Sequence, residues 1–269
     1  MLSPDKTEAS MDQKPVVLIT GAATGIGAVI AHQFIEDGYR VHICDIDPAA
    51  INKFEASELR VSASVTDVGD AKSVDELFED IEQRFGRLDV LVNNAGIAGP
   101  TAAVEDIDPA DWEKTVAIDL NGVFYCSRRA IPLIKQADKG VVINMASNAA
   151  FSGFPLRAPY AACKWAIIGL TKTLAMELGP FGIRANAICP GSVSGARIDG
   201  VIARDAKERG VADAAIRELY QRQSSLRKFT SPEDVASLVG FLASDNAAMI
   251  SGQAIGVDGH TEGLSNWLD

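Results

Sequence analysis

Histidine and cysteine are scarce in this 269-residue chain, which holds three of the first and four of the second. Cys44, Cys126, Cys163 and Cys189 form no CxxC pair and are spaced apart from His32, His42 and His260. Neither a zinc site nor a disulfide framework is expected, and each histidine reads as structural. Basic residues are in deficit as well: 25 Lys and Arg face 36 Asp and Glu, for a formal charge of −11. Affinity for nucleic acid rests on cations that neutralise phosphates, so nucleic acid is not expected as a partner. No apolar run approaches the length that crosses a bilayer, so no membrane partner is expected either. Residues 1–14 are polar and of mixed charge, without the apolar core of a signal peptide. They are read as a flexible leader outside the fold, and the protein is expected to be cytoplasmic.

What is present is ordinary globular composition, 47% hydrophobic and 23% charged, in a length that suits one α/β domain over 15–269. From Val16 short apolar runs alternate with amphipathic stretches: VVLIT, a helix to about Asp37, YRVHICDI, a charged helix ending near Phe85, then LDVLVNNAG. The rhythm continues through a helix over 112–135, GVVINMAS, a helix over 160–178, IRANAICPG and a last strand QAIGVD. The strands are apolar throughout rather than alternating, as in a parallel sheet covered by helices on both faces. A doubly wound α/β fold follows. Near the end, Ser231 is placed to cap a helix that begins with Pro232, with Glu233 and Asp234 favourable at its positive end.

The first chemical signal is Thr20-Gly21-Ala22-Ala23-Thr24-Gly25-Ile26-Gly27, between the first strand and the first helix. Glycines there allow a tight turn and let a pyrophosphate approach the free N–H groups of the helix. The spacing G-x-x-x-G-x-G differs from the commoner dinucleotide fingerprint, so the turn by itself is weak evidence. Asp45 ends the second strand roughly twenty residues on, where a carboxylate can accept from ribose hydroxyls and would repel a 2′-phosphate. Asp45 or its neighbour Asp47 could equally cap the following turn. No arginine follows to hold a phosphate, so NAD is favoured over NADP.

The second signal is Ser147 at a strand end with Tyr160 and Lys164 on one helix. Residues four apart share a helix face, which puts Lys164 one turn from the Tyr160 ring. Free tyrosine, with a pKa of about 10, is a poor base near neutrality. A neighbouring ammonium favours the phenolate, which allows proton exchange with an alcohol or carbonyl. Ser147 can hydrogen-bond and orient the substrate oxygen.

With these motifs the chain resembles the short-chain dehydrogenase/reductase family in its classical-length branch. The resemblance covers nearly everything after Pro15. It rests on TGAATGIG, Asp67-Val68, Asn93-Asn94-Ala95-Gly96, Ser147 with Tyr160-Ala-Ala-Cys-Lys164, and Ile183-Arg184-Ala185-Asn186 leading into Pro190-Gly191. It implies a Rossmann-type fold, a seven-stranded parallel sheet flanked by helices, with NAD across the C-terminal strand ends. Gly21, Ala23, Thr24, Gly25, Ile26 and Gly27 would line the cofactor, with Asp45 and Ile46 beside the adenosine ribose. Asp67 and Val68 would contact the adenine. Asn93, Ala95 and Gly96 would follow, and Tyr160 and Lys164 would reach the nicotinamide ribose. Pro190, Gly191, Val193 and Ser194 would flank the nicotinamide. A homo-oligomer, tetramer or dimer, is implied on the same grounds.

Three positions depart from the family pattern. Asp119, in Ile118-Asp119-Leu120-Asn121-Gly122, stands where an asparagine usually completes the catalytic set of Ser147, Tyr160 and Lys164. Ser194 replaces a common threonine, and Cys163 replaces serine before Lys164. Specificity in the family usually resides after the Pro-Gly turn, here about 192–228, read as a mobile loop and helix for substrate. Its arginines, Arg197, Arg204, Arg209, Arg217, Arg222 and Arg227, are interleaved with acids. They read first as a solvated helical face, with an anionic substrate as the alternative. Phe151, Phe154, Leu156, Arg157 and Asn148 also fall near the expected pocket. The leading expectation is an NAD-dependent oxidoreductase that interconverts a secondary alcohol (sugar, polyol, hydroxy acid or cyclic alcohol) and its carbonyl. The alternatives are an NAD-sensing binding protein on the same fold and an epimerase, which would need a larger C-terminal region.

Overall fold

The computed structural model describes residues 14–261 except 59 and 138; the expected leader lies almost wholly outside these residues. Strands β1 (Val16–Thr20), β2 (Arg40–Asp45), β3 (Val61–Val65), β4 (Val90–Asn93), β5 (Gly140–Met145), β6 (Ile183–Pro190) and β7 (Ala254–Val257) form one sheet. All pairings are parallel, in the order β3-β2-β1-β4-β5-β6-β7. Between them run α1 (Gly25–Glu36), α2 (Pro48–Ser57), α3 (Ala71–Phe85), α4 (Pro109–Val116), α5 (Gly122–Ile134), α6 (Ala158–Leu178), α7 (Ala196–Arg209), α8 (Asp213–Arg222) and α9 (Pro232–Ala243). The strand order reverses direction between β1 and β4. In such sheets the crevice beyond the carboxyl ends at that point is where ligands bind.

The continuous apolar strands are explained by two core layers. On β1, Val17 and Ile19 point to one face and pack with Phe34 of α1 and Val239 of α9. Val16 and Leu18 point to the other and pack with Phe78 of α3, Leu133 of α5 and Leu174 of α6. Ile19 lies between Ile43 and Val92 in the register, so the centre of the sheet is apolar across three strands. Each of these fully buried side chains contributes about 1.5–3 kcal/mol, and this makes the sheet rigid where the loops above it carry the site.

Caps hold the helices as their sequences imply. Ser231 Oγ accepts from Asp234 N at 3.1 Å while Asp234 Oδ2 accepts from Ser231 N at 2.8 Å, a reciprocal capping box ahead of α9. Asp47 Oδ1 accepts from Ala49 N at 2.9 Å with Pro48 opening α2, so Asp47 is the turn cap.

The stretch read as one charged helix ending near Phe85 is in fact α2, β3 and α3. VSASV of β3 is an edge strand of small polar and half-buried residues, and it lacked the apolar run that revealed the others. The helix expected over 112–135 is likewise interrupted. Ala117–Asn121 forms a π-helical turn in which Gly122 N donates to the Ala117 carbonyl, five residues back. Such wide turns recur at functional sites. The segment 192–228 holds two helices, α7 and α8, with an apolar cluster of their own around Ile198, Val201, Ile202 and Ile216.

Candidate active site

The sheet's carboxyl edge opens into a cleft of about 550 Å³. Its floor begins where β1 ends. Thr20 Oγ1 accepts from both Asn94 N and Ala95 N at 3.0 Å, and Asn94 Nδ2 donates to the Thr20 and Gly21 carbonyls at 2.9 Å. The turn after β4 is thereby sewn to the glycine turn after β1. Gly21 has φ +61°, and a Cβ there would lie 2.7 Å from Ala95 Cα. At Gly27 a Cβ would meet the Gly21 carbonyl at 2.5 Å, so the close approach of turn and helix requires glycine.

The N-terminus of α1 suits a pyrophosphate. Thr24 occupies the cap position in extended backbone, its side chain makes no capping bond, and the first turn carries no acid. The free N–H groups are therefore left to a ligand. Gly25, at φ +60°, has open space where a side chain would stand. Gly21, Thr24, Gly25, Ile26 and Gly27 all line the cleft, whereas Ala23 does not. Ala23 contributes instead its backbone N–H, which donates to Asp45 Oδ2 at 3.1 Å.

Asp45 and Ile46, from the end of β2, line the same wall with Thr66, Asp67 and Val68. Asp67 Oδ1 accepts from Gly69 N at 2.8 Å, a turn that shapes the loop after β3. Ala95 and Gly96 also line the cleft, and so does Asn94. Asn93 does not. It shares the parity of Leu91 on β4, and its amide donates to Asn144 Oδ1 at 2.8 Å and Ser127 Oγ at 3.2 Å beneath the sheet. Alternation along the strand was the signal that assigns Asn94, not Asn93, to the cleft.

On the other wall, α6 begins just after the loop from β5 and carries Tyr160 and Lys164 on its cleft face, and Ser147 follows β5. Lys164 Nζ donates to the Met145 carbonyl at 3.1 Å, lies 3.4 Å from Asp119 Oδ2 and 5.5 Å from the Tyr160 ring centroid. Ser147 Oγ accepts from Ala149 N at 3.2 Å and donates to Asn148 Oδ1 at 3.3 Å. Asp119 is fully buried beneath the cleft rather than in its lining. The π turn aims it: its other oxygen accepts from Ile97 N at 2.7 Å. Cys163 is buried, its Sγ 3.9 Å from the Thr115 carbonyl of α4, and burial followed by the Asp119 charge pushes its thiol up to about 11. It is an inert packing thiol, as expected of the change from serine.

Pro190, Gly191, Val193 and Ser194 close the cleft after β6. Gly191 N donates to the Val257 carbonyl at 3.0 Å and Ser194 N to the Thr230 carbonyl at 2.9 Å, so β7 and the loop before α9 brace this edge. Phe154, Arg157 and Asn148 line the cleft; Phe151 and Leu156 do not. Arg197 of α7, Tyr220 of α8 and Gln223 just after α8 also line it. The arginines of this segment divide. Arg209 pairs with Asp205, Arg217 with Asp199 and Arg222 with Glu218, as on a solvated face, while Arg197, also exposed, lines the cleft.

A family model described as Enoyl-(Acyl carrier protein) reductase, of the short-chain dehydrogenase/reductase group, matches residues 21–261. The chain belongs to the short-chain dehydrogenase/reductase family. This family member is an oxidoreductase of CH–OH groups that works with a nicotinamide cofactor. Trans-4-hydroxycyclohexanecarboxylate dehydrogenase of Sinomonas cyclohexanicum is 37% identical over 254 residues, covering 91% of each sequence. Actinorhodin polyketide ketoreductase, solved with NADPH, superposes with a TM-score of 0.90 at 29% identity, over 96% of this chain and 100% of that one. NAD-bound xylitol dehydrogenase gives 0.87 at 28%, over 91% and 98%. The seven-stranded Rossmann-type fold expected from the motifs is the fold of this family member. No helix among the described residues is long and apolar enough to cross a membrane.

Proposed function

We propose that the protein interconverts a secondary alcohol and its carbonyl with NAD, with Tyr160 as the group that takes or gives the hydroxyl proton. The observation that carries this reading is the convergence of Ser147, Tyr160 and Lys164 on one cleft whose far wall is an uncapped helix N-terminus. When bound, the nicotinamide accepts or donates the hydride. Ser147 Oγ, released from Asn148, donates to the substrate oxygen and holds it against Tyr160. Tyr160 Oη receives the hydroxyl proton during oxidation and returns it during reduction. Lys164, steadied by the Met145 carbonyl and Asp119, keeps a positive charge beside the ring as that proton moves.

The preference for NAD rests on charge. Asp45 and Asp67 stand on the β2–β3 wall, while the cations lining the cleft, Arg157 just before α6, Lys164 of α6 and Arg197 of α7, stand on the opposite wall. A 2′-phosphate beside Asp45 would meet a carboxylate and no counter-charge. Retention of Ser147, Tyr160 and Lys164 together disfavours a sensor without turnover.

We also propose a homo-oligomer in the cytoplasm. Met176 is 82% exposed and Met249 96%, two apolar side chains that a second copy would cover, and all four thiols are free. A solution mass equal to the monomer would reject the oligomer.

The deciding experiment follows the absorbance of reduced nicotinamide with sugars, polyols, hydroxy acids and cyclic alcohols, using NAD and NADP in parallel. NAD-dependent oxidation of at least one class is expected. Binding of NADH without turnover anywhere on the panel would return the sensor reading.

A further inference from the structure

Arg157 is a buried charge with no counter-ion. It is 7% exposed, Nη2 donates to the Ala98 carbonyl at 2.6 Å, and its buried Nε has no partner. Among the described residues no carboxylate lies within ion-pair distance of it. Burial pulls its pKa down from the usual guanidinium value; Tyr160 and Tyr220 oppose that shift, and Arg197 and Arg204 add to it. An arrangement of this kind costs stability unless something anionic completes it.

Arg197 shares the position. Its guanidinium lies 5.9 Å from the Tyr160 ring centroid and that of Arg157 lies 5.0 Å from it, and both line the cleft. Arg197 makes one long bond, from Nη1 to the Gly96 carbonyl at 3.4 Å. Nearby carboxylates are committed elsewhere: Asp205 to Arg209 at 2.5 Å and Asp119 to Lys164 and Ile97 N. Asp45 and Asp67 stand on the opposite wall. Two forked donors with spare N–H groups therefore flank the residue that handles the proton.

We propose that Arg157 and Arg197 form a carboxylate subsite, so that the alcohol oxidised at Tyr160 is a compact hydroxy acid and the product the matching keto acid. The inference rests on the reaction proposed above and names its substrate class. The planar guanidinium fork matches a carboxylate in two-point contact; Arg157 offers a buried fork and Arg197 an exposed one at the cleft mouth. Because both guanidinium groups lie against the Tyr160 ring, the carboxylate sits only a few bonds from the carbinol. In the oxidation, the carbinol hydride goes to oxidised nicotinamide and the hydroxyl proton to Tyr160; a C=O forms and the carboxylate is unchanged. Cation contact with the Tyr160 ring alone leaves Nε of Arg157 without a partner.

The test compares α-, β- and γ-hydroxy acids with their methyl esters on the full chain, as kcat/KM, for the parent, Arg157→Gln and Arg197→Met. At least one acid should exceed its ester by roughly ten- to a hundredfold, and either substitution should bring that ratio toward one, chiefly through KM. Equal use of acid and ester, or a preference that survives both substitutions, overturns the subsite and leaves the proposed reaction standing. Calorimetric titration with butyrate, benzoate and inorganic phosphate supplies the second readout. Carboxylate binding that Arg197→Met abolishes, without turnover of any alcohol, keeps the subsite and rejects the reaction. Binding of phosphate in preference to both carboxylates, or of neither anion, overturns the assignment.

Discussion

Asp119 Oδ2 stands 3.4 Å from Lys164 Nζ, in a pair of side chains that solvent scarcely reaches. The other Asp119 oxygen holds Ile97 N, so one carboxylate fixes the loop after β4 and balances the ammonium beside Tyr160. An asparagine could do the first but not the second.

Asp119→Asn separates those roles. The folded state should survive, since the Ile97 bond and the shape are kept, and turnover should stay within about tenfold of the parent. Asp119→Ala should instead cost about 3–5 kcal/mol of stability by stranding a buried ammonium. Turnover rates with denaturant titrations check both; an asparagine variant that unfolds as readily as the alanine one would overturn this separation of roles.

Tyr160→Phe removes one oxygen from the cleft. The expected fall in kcat is roughly 10²–10⁴-fold, the usual worth of a placed acid–base group. NADH affinity, read by fluorescence titration, should change by less than about threefold. Turnover near the parent value would sink the assignment.

Asp45→Asn keeps an acceptor for Ala23 N and removes the charge. The ratio of kcat/KM for NAD over NADP should fall by about tenfold or more, since charge rather than shape is what excludes the 2′-phosphate. A constant ratio would mean that selectivity lies elsewhere.

His42 makes stability depend on pH. It is wholly buried between β1 and β3, its ring nitrogens 2.8 Å from Ser62 Oγ and 3.0 Å from Ser64 Oγ, and burial holds its pKa down to about 4. The unfolded chain takes up that proton near pH 6.5 and the folded one only near 4, so the contribution is intact above about 6.5 and lost between those values. The full loss is about 3 kcal/mol. Denaturant titrations at neutral and mildly acidic pH should show a smaller drop for His42→Gln; an equal drop in both proteins would assign the acid sensitivity to other groups.

The doubly wound architecture was legible because strands buried on two faces cannot hide their composition. Val16 to Ile19 must be apolar at every position when Phe34 packs on one side and Phe78 on the other. The edge strand β3 escaped notice for the converse reason: Ser62 and Ser64 bond His42, and Ser64 also donates to Asp80 of α3, so polar side chains stand where the central strands are apolar. Tyr160 and Lys164 were visible as a four-residue spacing, and Asp45 as a strand-end acid. The assignment of Asn93 rather than Asn94 came from reading the motif without counting parity along β4. The pairs Arg209–Asp205 and Arg222–Glu218 follow from four-residue spacing within one helix, but Arg217–Asp199 and the place of Arg197 at the cleft depend on how α7 and α8 fold over it.

The wide turn at Ala117–Asn121 works as a phase shifter within what would otherwise be one continuous helix. Each residue of an α-helix advances the face by about 100°, so one residue more or fewer here changes which side α4 or α5 shows to its neighbours. Upstream, Thr115 meets Cys163 of α6; downstream, Cys126 and Leu133 join the layer with Phe78 of α3. Deleting a single residue from the turn would leave a locally comfortable α-helix, yet either Asp119 would swing away from Lys164 or α5 would turn its apolar face from the core. The stretch should therefore accept many substitutions and no change of length.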